Sequence, residues 1–242
     1  MTDTRERNVL IVVTGHTELG NTGEYTGFHY EELSTPYYAL KDAGYNIELA
    51  SPKGGAVMHD PSSLPDEESQ RAESVKRFLD DDEALRAIQN TIEVSTINPD
   101  AFDGVYLPGG HGTMWDFPDC AALQDLIAKY DREDKVIAAV CHGPAAFVNV
   151  QLQDGSYFVD GRTLNSFTDS EERDAEKDDV VPFLLEETLR ERGADFEKGA
   201  NWEGFVVQDA NLITGQNPHA CAKLADKMVS ALEERRKQRY AA

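Results

Sequence analysis

The residues with the clearest chemical meaning lie at positions 138–147, AAVCHGPAAF, where an apolar run ends at Cys141 and His142-Gly143-Pro144 follows. A thiol at a strand-to-helix turn is presented above the carboxyl edge of a sheet, and the positive end of the helix favours its thiolate. That is nucleophile chemistry. His142 adjoins it as a base and needs an acid to hold one ring nitrogen, for which the segment 166–172, SFTDSEE, offers Glu171 or Glu172. PGGHG at 108–112 leaves another apolar run, and its paired glycines suit either exposed N–H groups of an oxyanion hole or a purely steric turn. Glu31 and Glu32 open the next candidate helix. One of them serves the helix dipole, or else Glu32 points at the thiol, protonated by burial and donating to sulfur. Cys120 and Cys221 have no base beside them and read as packing residues.

These side chains need a scaffold, and the pattern supplies one. Residues 8–14 (NVLIVVT), 46–50, 103–108 and 135–141 are short apolar runs of the kind buried on both faces of a parallel sheet. Between them, 30–43 and 120–130 carry apolar residues at helical spacing, with Gly44 as a stop. Residues 142–150 read as a helix, 162–167 as a strand neighbouring that of Cys141, and 180–192 as a helix. Two strand pieces follow within 205–214, and Asn217-Pro218 caps a last helix to about Arg235 before a frayed tail. The alternation predicts an α/β domain, mostly parallel, with helices on both faces. Residues 53–100, rich in Pro, Gly and Ser and then in charge, read as a cap-like insertion within a single domain spanning 1–242.

Composition narrows the function further. With 45 acidic against 23 basic residues the formal charge is −22, which argues against nucleic acid and anionic membranes as partners. No run reaches the ~20 apolar residues of a membrane span, and the charged N-terminus lacks a signal-peptide pattern, so a soluble, cytoplasmic protein is expected. The acidity suits a salt-exposed cell. Three cysteines without metal-ligand spacing leave neither a disulfide framework nor a zinc site; we expect no metal and no cofactor.

Taken together, TGFHYEELSTPYYAL, LASPKGG, FDGVYLPGGHGTMWDF, VIAAVCHGPAAF, SFTDSEE and LITGQNP resemble the ThiJ/PfpI superfamily, in its glyoxalase III and heat-shock chaperone-like branch. The resemblance runs from about Asn8 to Ala231. It implies a flavodoxin-like, class I glutamine-amidotransferase-like sandwich with a small cap, and a homodimer. It implies Cys141 as nucleophile, His142 as base, Glu172 as the acid orienting it, and Glu32, four residues before Pro36, as the protonated carboxyl beside sulfur. Gly110 and His142 would supply oxyanion N–H groups. The activity implied is a glutathione-independent glyoxalase of D-lactate dehydratase type, a lyase taking a small dicarbonyl, methylglyoxal, to lactate. Alternatives on the same thiol are a deglycase or amidase and a redox sensor. A stress holdase for unfolded clients would instead use apolar surface around 57–64 and Phe117. No role for His219 is legible in the sequence.

Overall fold

The computed structural model describes residues 7–241. In chain order its elements are β1 (Asn8–Val12), α1 (Tyr30–Asp42), β2 (Asn46–Ser51), α2 (Glu73–Leu79), α3 (Asp82–Gln89), β3 (Ile92–Glu93), β4 (Gly104–Leu107) and α4 (Thr113–Asp116). There follow α5 (Ala121–Arg132), β5 (Val136–Val140), β6 (Thr163–Leu164), α6 (Asp169–Asp174), α7 (Leu185–Glu191), β7 (Asp195–Phe196), β8 (Val206–Asp209), β9 (Leu212–Gly215) and α8 (Cys221–Ala241).

Seven strands form one sheet in the order β3-β2-β1-β4-β5-β9-β8, parallel except for β8. Its central strands are buried on both faces, which is why they read as unbroken apolar runs. Val9, Ile11 and Val13 pack with α1 and α8 on one side, and Leu10 and Val12 pack with α5 on the other. Each such side chain withdrawn from water contributes about 1.5–3 kcal/mol, so the two clusters fix the strand register that aims the loops at the carboxyl edge. The segment 53–100 crosses α1 through α2 and α3 and brings Asp60 and Ser62 over that edge.

Several expectations change. After Cys141 the chain makes only a five-residue 3-10 turn, Gly143–Phe147, in place of a helix to 150. The strand expected over 162–167 shrinks to β6, which pairs with β7 in a separate two-stranded sheet, because β9 occupies the edge of β5. The helix expected over 180–192 starts at Leu185, and α6 precedes it. The C-terminal helix does not fray after Arg235 but continues to Ala241. Of the segment and residue expected to bind clients, Phe117 is fully buried and Val57 nearly so, while Met58 is exposed; the large exposed apolar side chains among the described residues are Tyr25, Met58 and Trp202. No helix of the described residues is long and apolar enough to cross a membrane.

Candidate active site

Cys141 stands at the end of β5 with φ +85°, a left-handed conformation that a side-chain-bearing residue adopts at a cost of about 1–3 kcal/mol. The strain is held from both sides. The Cys141 N–H donates to the Gly215 carbonyl (3.0 Å), and its own carbonyl accepts from the Phe167 N–H. That second bond is how the loop bearing the acid reaches the thiol although β6 lies off the sheet.

Beyond the sulfur the polar groups form a line. His142 Nδ1 lies 3.8 Å from Cys141 Sγ, and its Nε2 lies 2.6 Å from Glu172 Oε2. An ionised carboxylate only accepts, so Nε2 carries the hydrogen and Nδ1 turns its lone pair to the thiol. His111, which sequence reasoning passed over, donates from its Nε2 to the other oxygen, Oε1, at 2.7 Å, and its ring lies 4.2 Å from that of His142. Burial opposes ionisation of Glu172, but the two imidazoles outweigh it and hold the carboxyl far below its usual range. Burial likewise lowers the His142 pKa, against the pull of Glu172, so the ring is neutral at pH 7.

Glu32 is the other polar neighbour of the sulfur. Pro36 has no N–H to give the Glu32 carbonyl four residues back, and the Tyr106 hydroxyl donates to that carbonyl instead, at 2.6 Å. The side chain is fully buried, with Oε2 accepting from the Gly109 N–H at 2.7 Å. Burial raises its pKa to about 8, against smaller opposing contributions from the Cys141 thiol and the Gly109 N–H. The thiol does not behave as the sequence suggested. Burial first, and then Glu32, push Cys141 well above the ordinary cysteine value, because a 3-10 turn offers too little dipole to offset the lost solvation.

The glycines of the facing loop are required by close approach. A Cβ on Gly109 would lie 2.7 Å from Glu32 Oε2 and from the His142 nitrogen, and one on Gly110, at φ +103°, would run into the Gly27 carbonyl. Gly110 and His142 both line the cavity, of about 190 Å³, that lies over the sulfur. Phe167, Ala175, Trp202 and Pro218 form its apolar wall, and His29, Asp60 and Ser62 its polar rim. Phe167 packs edge-on against Trp202.

Glu171, the other acid open to sequence reasoning, does different work. It is fully buried and accepts from Thr168 in a capping box, from the Trp202 N–H (2.8 Å), and from Gln216 and Asn217. His219 Nδ1 donates to the Trp202 carbonyl at 2.6 Å. Together they hold Trp202, at φ +64°, as a wall of the cavity. Glu31 does not line the cavity. His111, His142 and Glu172 are also the one group among the described residues whose ligand-type atoms, within 4.8 Å of one another, could hold a metal ion; the 2.6 and 2.7 Å separations are those of hydrogen bonds.

Residues 25–158 match the DJ-1/PfpI family. The chain belongs to this family. It is 29% identical over 236 residues to Glyoxalase 3 of Candida albicans, covering 93% of this chain and 98% of that one. The solved structure of glyoxalase III from Candida albicans superposes with a TM-score of 0.83 at 28% identity, over 93% of this chain and 97% of that one. The Rapid Encystment Protein 24 KDa of Francisella tularensis gives 0.89 at 35% identity, over 93% and 99%. A protein/nucleic acid deglycase of Pseudomonas aeruginosa is 26% identical over 86% of this chain and 74% of its own. The flavodoxin-like fold expected from the sequence is thus that of the relatives as well.

Proposed function

We propose that this DJ-1/PfpI member is a glutathione-independent glyoxalase that converts methylglyoxal and water to lactate, a lyase of D-lactate dehydratase type. The observation that carries the reading is the line Cys141, His142, Glu172, with the neutral carboxyl of Glu32 beside the same sulfur.

The chemistry follows from the protonation states. His142 Nδ1 takes the thiol proton as sulfur adds to the aldehyde carbon, C1, so a thiol kept neutral by burial is activated only when substrate arrives. The new oxyanion faces the N–H groups of Gly110 and His142 and then takes the proton from His142, which gives a hemithioacetal. His142 next removes the hydrogen of C1 while Glu32 protonates the oxygen of C2, forming an enediol. Return of the proton from His142 to C2, with the C1 hydroxyl proton passing to Glu32, gives the lactate thioester. Water, activated by His142, releases lactate and restores the thiol. Glu172 stabilises each imidazolium along the way.

A deglycase would use the same thiol on a dicarbonyl already attached to an amine. A cavity of about 190 Å³ walled by Trp202 favours the free three-carbon substrate. The deciding assay is lactate formation from methylglyoxal without glutathione, in the native chain and in Cys141→Ser, with a glycated amino acid as competing substrate. We expect lactate from the native chain and a loss of at least about 10³-fold in Cys141→Ser, since the hydroxyl is a far poorer nucleophile here. Absence of lactate with release of dicarbonyl from the glycated amine would replace the glyoxalase reading by the deglycase one.

A further inference from the structure

We propose that His29 determines substrate specificity: its Nδ1, with Oε1 of Glu32, clamps the second oxygen of a 1,2-dicarbonyl, on the carbon next to the one that Cys141 attacks. The catalytic consequence rests on the glyoxalase reading; the clamp itself rests on geometry.

Four buried side-chain N or O atoms among the described residues lack a hydrogen-bond partner: His29 Nδ1, Glu32 Oε1, Asn165 Oδ1 and Asp169 Oδ1. Only the first two belong to residues lining the cavity over the sulfur. They lie 4.0 Å apart, too far for a hydrogen bond to each other. An oxygen placed at a normal ~2.8 Å from both would see them about 90° apart, within the broad range over which a carbonyl oxygen accepts two donors. Unmade hydrogen bonds in a buried place are costly, so a ligand that completes both gains selectively over one that cannot.

The donors are in the required state. Oε2 of Glu32 accepts from Gly109, which leaves the proton of the neutral carboxyl to Oε1. Burial lowers the His29 pKa to about 4, so the ring is neutral at pH 7 and can present an N–H from Nδ1. Nor does another duty explain this histidine. It occupies the N-cap of α1 without making a side-chain cap bond, at a position where Ser, Thr, Asp or Asn would stabilise the helix. Its backbone is pinned, the N–H donating to the Gly109 carbonyl at 3.0 Å. This sets the clamp beside the Gly110 and His142 N–H groups, so two adjacent carbonyl oxygens are received by two adjacent donor pairs. When sulfur is bonded to C1, negative charge developing on the C2 oxygen in the enediol step falls on His29 and Glu32.

The test compares native protein with His29→Leu, which cannot hydrogen-bond, and His29→Asn, whose amide nitrogen reaches near the position of Nδ1. Protection of Cys141 from iodoacetamide is titrated with methylglyoxal and with propanal, which matches its carbon count but lacks the second oxygen. In His29→Leu the methylglyoxal concentration for half-protection should rise by about tenfold or more. The propanal value and the unprotected alkylation rate should stay within twofold, and His29→Asn should recover most of the loss. For lactate formation, kcat/KM should fall about 10²-fold in His29→Leu, the usual effect of one such donor. Unchanged methylglyoxal protection in His29→Leu, or equal shifts for both aldehydes, overturns the clamp. Selective protection without any lactate from the native protein would sustain the clamp while refuting the glyoxalase. Normal lactate formation by His29→Leu would do the reverse.

Discussion

Replacing Glu172 by Gln tests the line of polar groups most directly, because the second histidine changes what that substitution does. Glu172 accepts two hydrogen bonds, at 2.6 Å from His142 and 2.7 Å from His111. A carboxylate serves both; an amide has one acceptor and one donor. If the amide oxygen faces His142, that ring keeps its tautomer but loses its counter-charge. If the NH2 faces it, the ring must accept at Nε2, its hydrogen moves to Nδ1, and no lone pair is left for the thiol. The better orientation still forfeits the attraction between imidazolium and carboxylate, about 4 kcal/mol for unit charges some 4 Å apart at an effective dielectric of about 20. That corresponds to about 10³-fold in rate, in the range of a positioned general base. We therefore expect kcat/KM for methylglyoxal at pH 7 to fall by about 10²- to 10⁴-fold in Glu172→Gln. Nitrogen NMR of His142 should show the Nε2–H tautomer of the native ring mixed with or replaced by Nδ1–H. A variant within tenfold of native activity, with an unaltered tautomer, would refute the assignment of Glu172 as the group that sets His142.

Other consequences follow from the same geometry. Because burial raises Glu32 to about 8, kcat/KM should fall as pH rises past about 8, and Glu32→Gln, slower throughout, should lack that alkaline limb. The sign for stability is the same: with a folded pKa above the ordinary 4.5, its contribution is full below 4.5 and is lost as pH rises through about 8. Denaturant titrations should therefore show native stability falling relative to Glu32→Gln by about 1.4 kcal/mol per pH unit across that window. Tyr106→Phe strands the Glu32 carbonyl that Pro36 leaves unbonded, so chemical denaturation should report a loss of about 1–3 kcal/mol; an unchanged midpoint would mean another group satisfies it. His111→Phe keeps a ring beside His142 but removes one donor from Glu172, and activity should drop by less than about tenfold with a lower Tm; a loss equal to that of Glu172→Gln would give His111 a role in proton transfer.

What could be read from the residues, and what could not, divides along physical lines. The strands around Cys141 are buried on both faces, and such strands leave an unmistakable apolar run, so the sheet and the elbow were legible. The choice between Glu171 and Glu172 was not. They are neighbours in one helical turn, and only the fold shows that donors from Thr168, Trp202, Gln216 and Asn217 saturate the carboxylate of the first while the second faces two imidazoles. His111 stood in PGGHG beside a glycine already singled out, yet nothing local says that Glu172 has a second oxygen to share. Pro at the second position after His142 is compatible with a helix start, but Ala145 and Val148 bond back by three residues rather than four, so the expected helix is a 3-10 turn. The thiol pKa turns on the same point: with the dipole reduced, desolvation decides.

The raised pKa of Cys141 changes how the site is understood. A free, low-pKa thiolate would be reactive toward oxidants at all times, and the redox-sensor reading needs one. Here Cys141 is 3% exposed, its thiol is neutral by burial, and its polar neighbours are a neutral carboxyl and a neutral imidazole. Charge appears only when the proton passes to His142, and at that moment Glu172 is already ionised and pairs with the imidazolium. An electrophile that enters the cavity and accepts hydrogen bonds is therefore what draws the thiolate out. That coupling favours a catalytic thiol over a sensing one, and it gives a use to two buried atoms without hydrogen-bond partners, His29 Nδ1 and Glu32 Oε1.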